Sequence, residues 1–295
     1  MTMVAEQAQA AKLTNAELVR PRRGLLRRYP LVAIGALLLL AVLVVTLCAP
    51  WLATHDPQEI DPLTRLRAPS TEHLLGTDAL GRDVWSRALY GGRISLVVGL
   101  AVGLLASAVG LLVGLVSGYS RIADAILMRV MDGLMSIPAI LLAIALMAVW
   151  RASMFTVVLA ITVVEVPRVV RLVRGVVLSL REQTYIEAAV IAGTRPVRIM
   201  RKHILPNTLA PLIVQTTYIC AAAMLIESIL SFLGAGTPPE VPSWGNIMAE
   251  GRTYFQIAPW LILSPGLLLG LTVLAVNLVG DGLRGMLDPR LARRM

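Results

Sequence analysis

Residues 94–120 read ISLVVGLAVGLLASAVGLLVGLVSGYS, a stretch without a single charged side chain. A helix needs about 20 apolar residues to cross the hydrocarbon core of a bilayer, which is ~30 Å thick. No water in that core can bond to exposed backbone groups, so a spanning segment must satisfy them internally. The stretch therefore predicts a transmembrane helix.

Five further apolar stretches flank this one, so we expect an all-α polytopic membrane protein with six transmembrane helices. The third span is expected to begin near Ala125. The fourth is the weakest, because it continues through Glu165 and Pro167. The six expected spans are 31–53, 94–120, 125–150, 152–177, 204–233 and 253–280, and the uncharged part of the third is 133–150.

The composition excludes other classes of protein. Of the 295 residues, 57% are hydrophobic and only 15% are charged, whereas a soluble domain carries about 25% charged residues. Disordered chains are poor in apolar residues and are excluded for the same reason. Cys48 and Cys220 both lie inside apolar stretches, which supports neither a disulfide framework nor a thiolate metal site.

The distribution of charge predicts the orientation of the spans. Most of the 27 basic residues fall in three places: the tail 1–29, the segment 168–202 and the C-terminal residues 284–294. Short cytoplasmic loops are enriched in Lys and Arg, and six spans would put all three on the cytoplasmic side. The net charge of +9 is thus a consequence of topology, because clustered arginines next to membrane spans lie near anionic lipid headgroups. Nucleic-acid binding is not expected.

Several residues in the spans have simple structural explanations. We expect Arg129 to pair with Asp132 and Glu165 with Arg168, since residues three apart on a helix are neighbours. Glu227 is expected to reach interfacial water. Small residues spaced by four let helices approach closely; in the second span they predict tight internal packing, with a subunit interface as the alternative. These residues are Gly99, Gly103, Gly110, Gly114 and Gly118.

Motifs for catalysis or for a cofactor are not expected. The three histidines, His55, His73 and His203, lack metal-ligand spacing, and neither G-x-S-x-G nor H-E-x-x-H occurs. No G-x-x-x-x-G-K-[ST] occurs either, so the chain has no phosphate-binding loop for ATP. We therefore expect no enzymatic activity, no cofactor and no bound metal.

The segment 181–207 contains the most informative pattern. Residues 183–192 predict a short helix that Gly193 ends, and Thr194 can cap a second helix with Pro196 in its first turn. Small residues make one side of the first helix nearly flat, which suits docking into another protein's groove; an ordinary loop helix is the alternative. These small residues are Ala188, Ala189 and Ala192.

The segment resembles the EAA loop of binding-protein-dependent ABC importer permeases. The resemblance rests on Glu187-Ala188-Ala189, Gly193 and Leu205-Pro206, with Thr194 and His203 as departures from the usual pattern. Other stretches resemble the dipeptide, oligopeptide, nickel and glutathione permeases in particular. They are LGTD at 75–78 with GRD at 81–83, SFLG at 231–234, PSWG at 242–245, and NLVGDGLR at 277–284 followed by LDPR at 287–290.

The resemblance implies a type I ABC importer permease fold in a bacterial inner membrane, with both termini cytoplasmic. The implied partners are a second homologous permease, two ATPase subunits and an extracytoplasmic solute-binding protein. The residues implied to contact the ATPase are Glu187, Ala188, Ala189, Gly193, Leu205 and Pro206. The solute stays open among di- or oligopeptides, glutathione and a nickel chelate, and a proton-driven secondary transporter is a rival mechanism.

The expected organisation of the chain follows from these assignments. Residues 1–29 form a cytoplasmic basic tail, and residues 30–92 contain the first span and an extracytoplasmic segment. The permease core covers residues 93–285 and includes the loop 181–207. Residues 286–295 form a cytoplasmic C-terminal tail.

Overall fold

The computed structural model describes residues 30–149 and 153–287. The expected tail 1–29 and most of the expected tail 286–295 lie outside the described residues. So do the expected ends of two spans, at Trp150 and Ala152. The described part is mostly helical and contains no strand, which confirms the all-α prediction.

Eleven α-helices are numbered along the described residues. They are α1 (Pro30–Leu47), α2 (Ala49–Leu52), α3 (Val84–Tyr119), α4 (Arg121–Ser136), α5 (Ala139–Val149), α6 (Met154–Arg181), α7 (Thr184–Ile191), α8 (Pro196–Ile199), α9 (Leu205–Phe232), α10 (Trp244–Gly251) and α11 (Trp260–Leu287). Two short 3₁₀ turns, Pro62–Thr64 and Arg252–Tyr254, lie in the loops, and a π-helical turn, Met200–Ile204, connects α8 to α9.

Helix α3 begins earlier than its apolar stretch. The side chain of Asp83 accepts a hydrogen bond from the Ser86 amide at 2.8 Å and so caps the helix before Val84. Asp78 accepts hydrogen bonds from the amides of Leu80 and Arg82 and shapes the preceding turn.

The third expected span is broken. Helices α4 and α5 meet at an angle of 95°, with the bend at Ile137 and Pro138. A residue before proline is disfavoured in the helical conformation, and Ile137 has φ −92° and ψ 130°, an extended conformation. The expectation of one continuous helix from Ala125 is therefore wrong.

Glycines allow α3 to pack tightly against α6. A Cβ atom on Gly110, Gly114 or Gly118 would lie only 2.4–2.6 Å from the Cβ of Val169, Val173 or Val177, respectively. Gly99 and Gly103 contact α9 in the same manner, through Met224 and Cys220. The glycines of the second span thus serve packing within the chain, which confirms the first of the two interpretations.

The packing registers give the directions of the helices. The register 110–169, 114–173 and 118–177 makes α3 and α6 parallel, so α4 and α5 together return the chain between them. Helix α9 runs antiparallel to α3, and α11 runs antiparallel to α1, where Gly35 contacts Leu278 and Gly282 contacts Val32. This arrangement is compatible with six passes.

Length and apolar composition identify fewer spans than six. Among the described residues, four helical segments qualify, Pro30–Leu47, Val84–Tyr119, Pro196–Phe232 and Trp260–Leu287, and the bent pair α4–α5 makes a fifth if it is one span. Helix α6 does not qualify, although it runs without a break through Pro167 as expected. Its charged residues are Glu165, Arg168, Arg171, Arg174 and Arg181.

Two of the three expectations about charged residues in the spans are wrong. Glu165 and Arg168 do pair, at 3.0 Å. Asp132, however, pairs with Arg171 of α6 at 2.6 Å and not with Arg129 of its own helix. Glu227 is completely buried and does not reach water. Its carboxylate accepts hydrogen bonds from serine and threonine hydroxyls: Ser228 (3.4 Å), Ser231 (2.9 Å) and Thr237 (3.5 Å).

The two long loops, 53–83 and 233–259, pack together at one end of the helices, called here the loop end. Arg82 pairs with both Asp78 and Glu250 at 2.6 Å, and Arg87 reaches Glu250 at 3.0 Å. The buried indole of Trp244 donates a hydrogen bond to the Ala88 carbonyl at 2.9 Å. The loop end is thus an ordered unit fixed to the start of α3.

Candidate coupling surface

The segment 181–207 is anchored by three isoleucines at the end of the molecule opposite the loop end. Ile186, Ile199 and Ile204 are 3%, 1% and 0% exposed, and they belong to the main apolar core with residues of α3 and α6. Arg181 donates hydrogen bonds to the carbonyls of Gly118 (3.0 Å) and Tyr119 (3.1 Å) at the end of α3. The segment is therefore fixed to the helical core at both its beginning and its end.

Gly193 ends helix α7 as the sequence predicts. Its φ is +72°, its amide donates to the Val190 carbonyl at 2.9 Å, and the Thr194 amide donates to the Ala189 carbonyl at 3.0 Å. These two bonds form a Schellman motif, which requires a residue with positive φ at this position. The sharp turn sets the direction in which the chain enters α8.

The cap of α8 differs from the expectation. Arg195, not Thr194, precedes the helix, and no side chain bonds to its first amides. Thr194 instead belongs to the end of α7, where its amide donates to the Ala189 carbonyl. Pro196 does occupy the first turn, as expected.

Helices α7 and α8 expose apolar side chains alongside the charged Glu187 and Arg198. Glu187, Ala188 and Gly193 are exposed, and Ala189 is half-buried. Four large apolar side chains of the two helices are also exposed, and we call them the exposed apolar patch: Tyr185 (44% exposed), Val190 (57%), Ile191 (87%) and Val197 (69%). The sequence identified the small residues but not the four large ones. A helical pattern does not distinguish apolar side chains that pack into the core from those that stay exposed on the surface.

Basic residues lie beside the patch. Arg195, Arg198, Arg201 and Lys202 line, with Val197, an open cleft of about 660 Å³. Cationic side chains around apolar ones form the polar rim that is typical of a protein–protein interface. A partner surface with acidic groups at its edge would complement this arrangement.

Leu205 and Pro206 lie apart from this surface, at the start of α9. Leu205 is half-buried, and Pro206 is exposed in the first turn of the helix. Pro206 and Asn207 line a cleft of about 600 Å³ with Tyr218 and Arg284. The expected site residues thus divide into a set on α7 and in the turn that ends it, exposed except for the half-buried Ala189, and a pair that begins the next long helix.

Two of the histidines lie close together in the structure although they lack metal-ligand spacing in the sequence. His55 and His73 lie at the loop end with their ring centroids 4.8 Å apart, and Asp83 lies beside both. His203 lies at the opposite end, with its ring centroid 6.2 Å from that of Tyr185. The fold of the loop brings His55 and His73 together although they are 18 residues apart, and a search for short motifs does not detect such a pair.

The fold and the exposed segment define a class: a multi-pass helical membrane protein with an exposed, partly apolar segment at one end. The model of the family described as binding-protein-dependent transport system inner membrane component matches residues 106–293. The chain belongs to this family.

Curated relatives are similar over nearly the whole chain. A probable peptide ABC transporter permease protein of Sinorhizobium fredii is 52% identical over 268 residues, which cover 91% of this chain and 92% of the relative. A dipeptide transport system permease protein of Alkalihalophilus pseudofirmus is 41% identical over 267 residues, which cover 90% of this chain and 88% of the relative.

Solved structures show the same fold. An inward-facing structure of the MetNI methionine ABC transporter aligns with a TM-score of 0.57 at 23% identity, covering 67% of this chain and 94% of the matched chain. This likeness confirms the expected type I ABC importer permease fold. At this level of identity it shows the fold alone.

Proposed function

We propose that this chain is one of two permease subunits of an ABC importer for peptides. The proposed partners are a second homologous permease, two ATPase subunits that hydrolyse ATP, and an extracytoplasmic solute-binding protein. The observation that carries the proposal is the exposed apolar patch around Glu187, Ala188 and Gly193 in a chain of this family. The names of the relatives, at 52% and 41% identity, support peptides as the solute.

The structure offers a physical route for coupling. A partner that docks on α7 would push on a short helix whose buried anchor, Ile186, packs in the same core as Val173 and Val177 of α6. Ile199 and Ile204 connect the other end of the segment to that core just before α9. Because packed cores shift between discrete arrangements and do not deform continuously, movement of the docked partner would be passed to α6 and α9 as rigid elements.

We propose an inner-membrane location with the segment 181–207 and both termini in the cytoplasm and the loop end outside. The basic residues of 168–202 and the acidic residues of 55–87 support this orientation. Reporter fusions after Arg28, within 55–87, within 181–202 and at Met295 are expected to read inside, outside, inside and inside. An outside reading for the 181–202 fusion would contradict both the six-span topology and the coupling role.

Uptake into vesicles that contain the reconstituted complex tests the proposed function. With the binding protein outside and ATP inside, we expect accumulation of labelled di- to hexapeptides and none when ATP is omitted. Glutathione and a nickel chelate are compared in parallel, and their exclusive transport would overturn the peptide assignment only. Uptake driven by a proton gradient without the ATPase subunits would overturn the whole mechanism.

A further inference from the structure

Three potential metal ligands converge at the loop end, far from the coupling surface. The Nδ1 atom of His73 lies 3.0 Å from Oδ1 of Asp83, and Nδ1 of His55 lies 4.0 Å from the same oxygen. Each of the three residues offers one ligand atom such that all three atoms lie within 4.8 Å of one another. His73 and Asp83 are buried, and the side chain of His55 is 33% exposed.

The surrounding hydrogen bonds orient the carboxylate for this role. Oδ2 of Asp83 accepts hydrogen bonds from the amide of Ser86 (2.8 Å), from its hydroxyl (2.7 Å) and from the hydroxyl of Thr54 (3.2 Å). Oδ1 is directed instead towards the two imidazoles. The His55 amide donates to the Ser86 hydroxyl at 3.1 Å, which fixes the backbone of the third ligand. A carboxylate held through one oxygen, with the other one directed at histidines, is typical of a supported metal site.

The distances fit a small transition-metal ion after a slight adjustment. Zinc binds imidazole nitrogen and carboxylate oxygen at about 2.0–2.2 Å in a tetrahedron, which places neighbouring ligand atoms roughly 3.3 Å apart. The His73–Asp83 pair is already near that spacing. The 4.0 Å between His55 and Asp83 exceeds it by roughly 0.7 Å, and the ligand atoms of His55 and His73, which lie within 4.8 Å, would have to approach each other by up to ~1.5 Å. The partial exposure of His55 leaves room for that movement.

The donor set selects the kind of metal. Two imidazoles and one carboxylate suit zinc and its neighbours among the divalent transition metals, whereas calcium and magnesium prefer oxygen ligands alone. His55 also lines a cavity of about 700 Å³ together with Thr54, Asp56, Tyr90 and Arg93. A fourth coordination position next to this cavity would be accessible to water or to a further ligand.

We propose that His55, His73 and Asp83 bind one divalent transition-metal ion of the zinc type at the loop end. The ion fastens the loop 53–83 to the capped start of α3, because two of its ligands come from the loop and the third is the capping residue itself. The site lies at the opposite end from the coupling surface, and it does not depend on which solute the importer carries.

Metal counting on the purified complex tests the proposal. The complex is stripped with a chelator, reloaded with Zn²⁺, freed of excess metal and analysed for bound zinc; Co²⁺ loading gives a visible absorption spectrum of the same site. We expect the His55→Gln/His73→Gln double variant to hold one zinc ion fewer per copy of this chain than the wild type. His203→Gln, which changes the histidine at the other end, is the matched control and is expected to retain the full content.

Two further variants keep the test decisive if the double variant fails to fold. His55→Gln alters only the partly exposed ligand. Thr54→Val leaves all three ligands in place and removes the hydroxyl that lies 3.2 Å from Oδ2 of Asp83 and 3.1 Å from Nδ1 of His55. We expect each to lower zinc affinity at least tenfold, as loss of a ligand or of a supporting bond does in metal sites. Equal zinc content and affinity in the wild type and in these folded variants would overturn the proposal, and so would an equal loss in His203→Gln.

Discussion

Replacement of Gly193 by valine is expected to reduce ATP-dependent uptake at least tenfold while the chain still inserts into the membrane. The φ of Gly193 is +72°, and a side chain there costs on the order of 1–2 kcal/mol from backbone strain alone; a β-branched residue fits this conformation worst. Helix α7 has eight residues and one fully packed anchor, Ile186, so a strain of this size can displace it. Uptake and ATP hydrolysis are measured on the same vesicles.

The substitution Gly193→Asn is the matched control for this prediction. Asparagine tolerates positive φ better than other residues that carry a side chain, and the space around a Cβ atom at position 193 is open within 4 Å. We expect Gly193→Asn to retain most of the uptake. Equal loss in both variants would indicate that bulk at the surface matters and the turn does not, and normal uptake in Gly193→Val would count against the segment as the coupling element.

Replacement of Ile191 by aspartate is expected to release the ATPase subunits from the complex and to abolish uptake. Ile191 is 87% exposed, so its loss costs little folding stability. If the residue is buried on docking, the variant places an unpaired charge in the interface, a penalty of several kcal/mol. The measurement is the amount of ATPase that co-purifies with the permease, together with uptake.

An equally exposed apolar residue at the other end provides the control. Leu63 is 85% exposed in the 3₁₀ turn of the first loop, and Leu63→Asp makes a comparable change in hydrophobicity and charge. We expect this variant to retain its ATPase partners. Full retention of the ATPase by Ile191→Asp would exclude the exposed apolar patch from the docking surface.

Much of the fold was accessible from local sequence. Uncharged stretches of sufficient length predict helices wherever backbone groups must bond internally, and α3, α9 and α11 lie largely where they were expected. Gly193 was recognised as a helix end, since positive φ is a property of the residue itself. The glycines of α3 were recognised as a packing surface because their spacing by four and their lack of a side chain are also visible in the sequence.

Features that depend on partners distant in the chain were predicted poorly. The pairing of Asp132 with Arg171, the burial of Glu227 and the meeting of His55 with His73 each require the direction of another segment. Spacing along one helix predicted the wrong partner for Asp132, because that spacing contains no information about Arg171 on α6. Within the expected site, the sequence did not separate the exposed Glu187 and Ala188 from the half-buried Ala189 and Leu205.

The sequence by itself determined that this protein is a helical membrane permease and identified its EAA-like segment, because hydrophobic length, glycine geometry and the EAA pattern are all local properties. The tertiary structure decided which side chains of that segment remain exposed, where the third span bends, and that two histidines and an aspartate meet at the loop end. The physical reason is that burial, ion pairing and ligand geometry are set by distances between segments. Those distances exist only after the helices have packed.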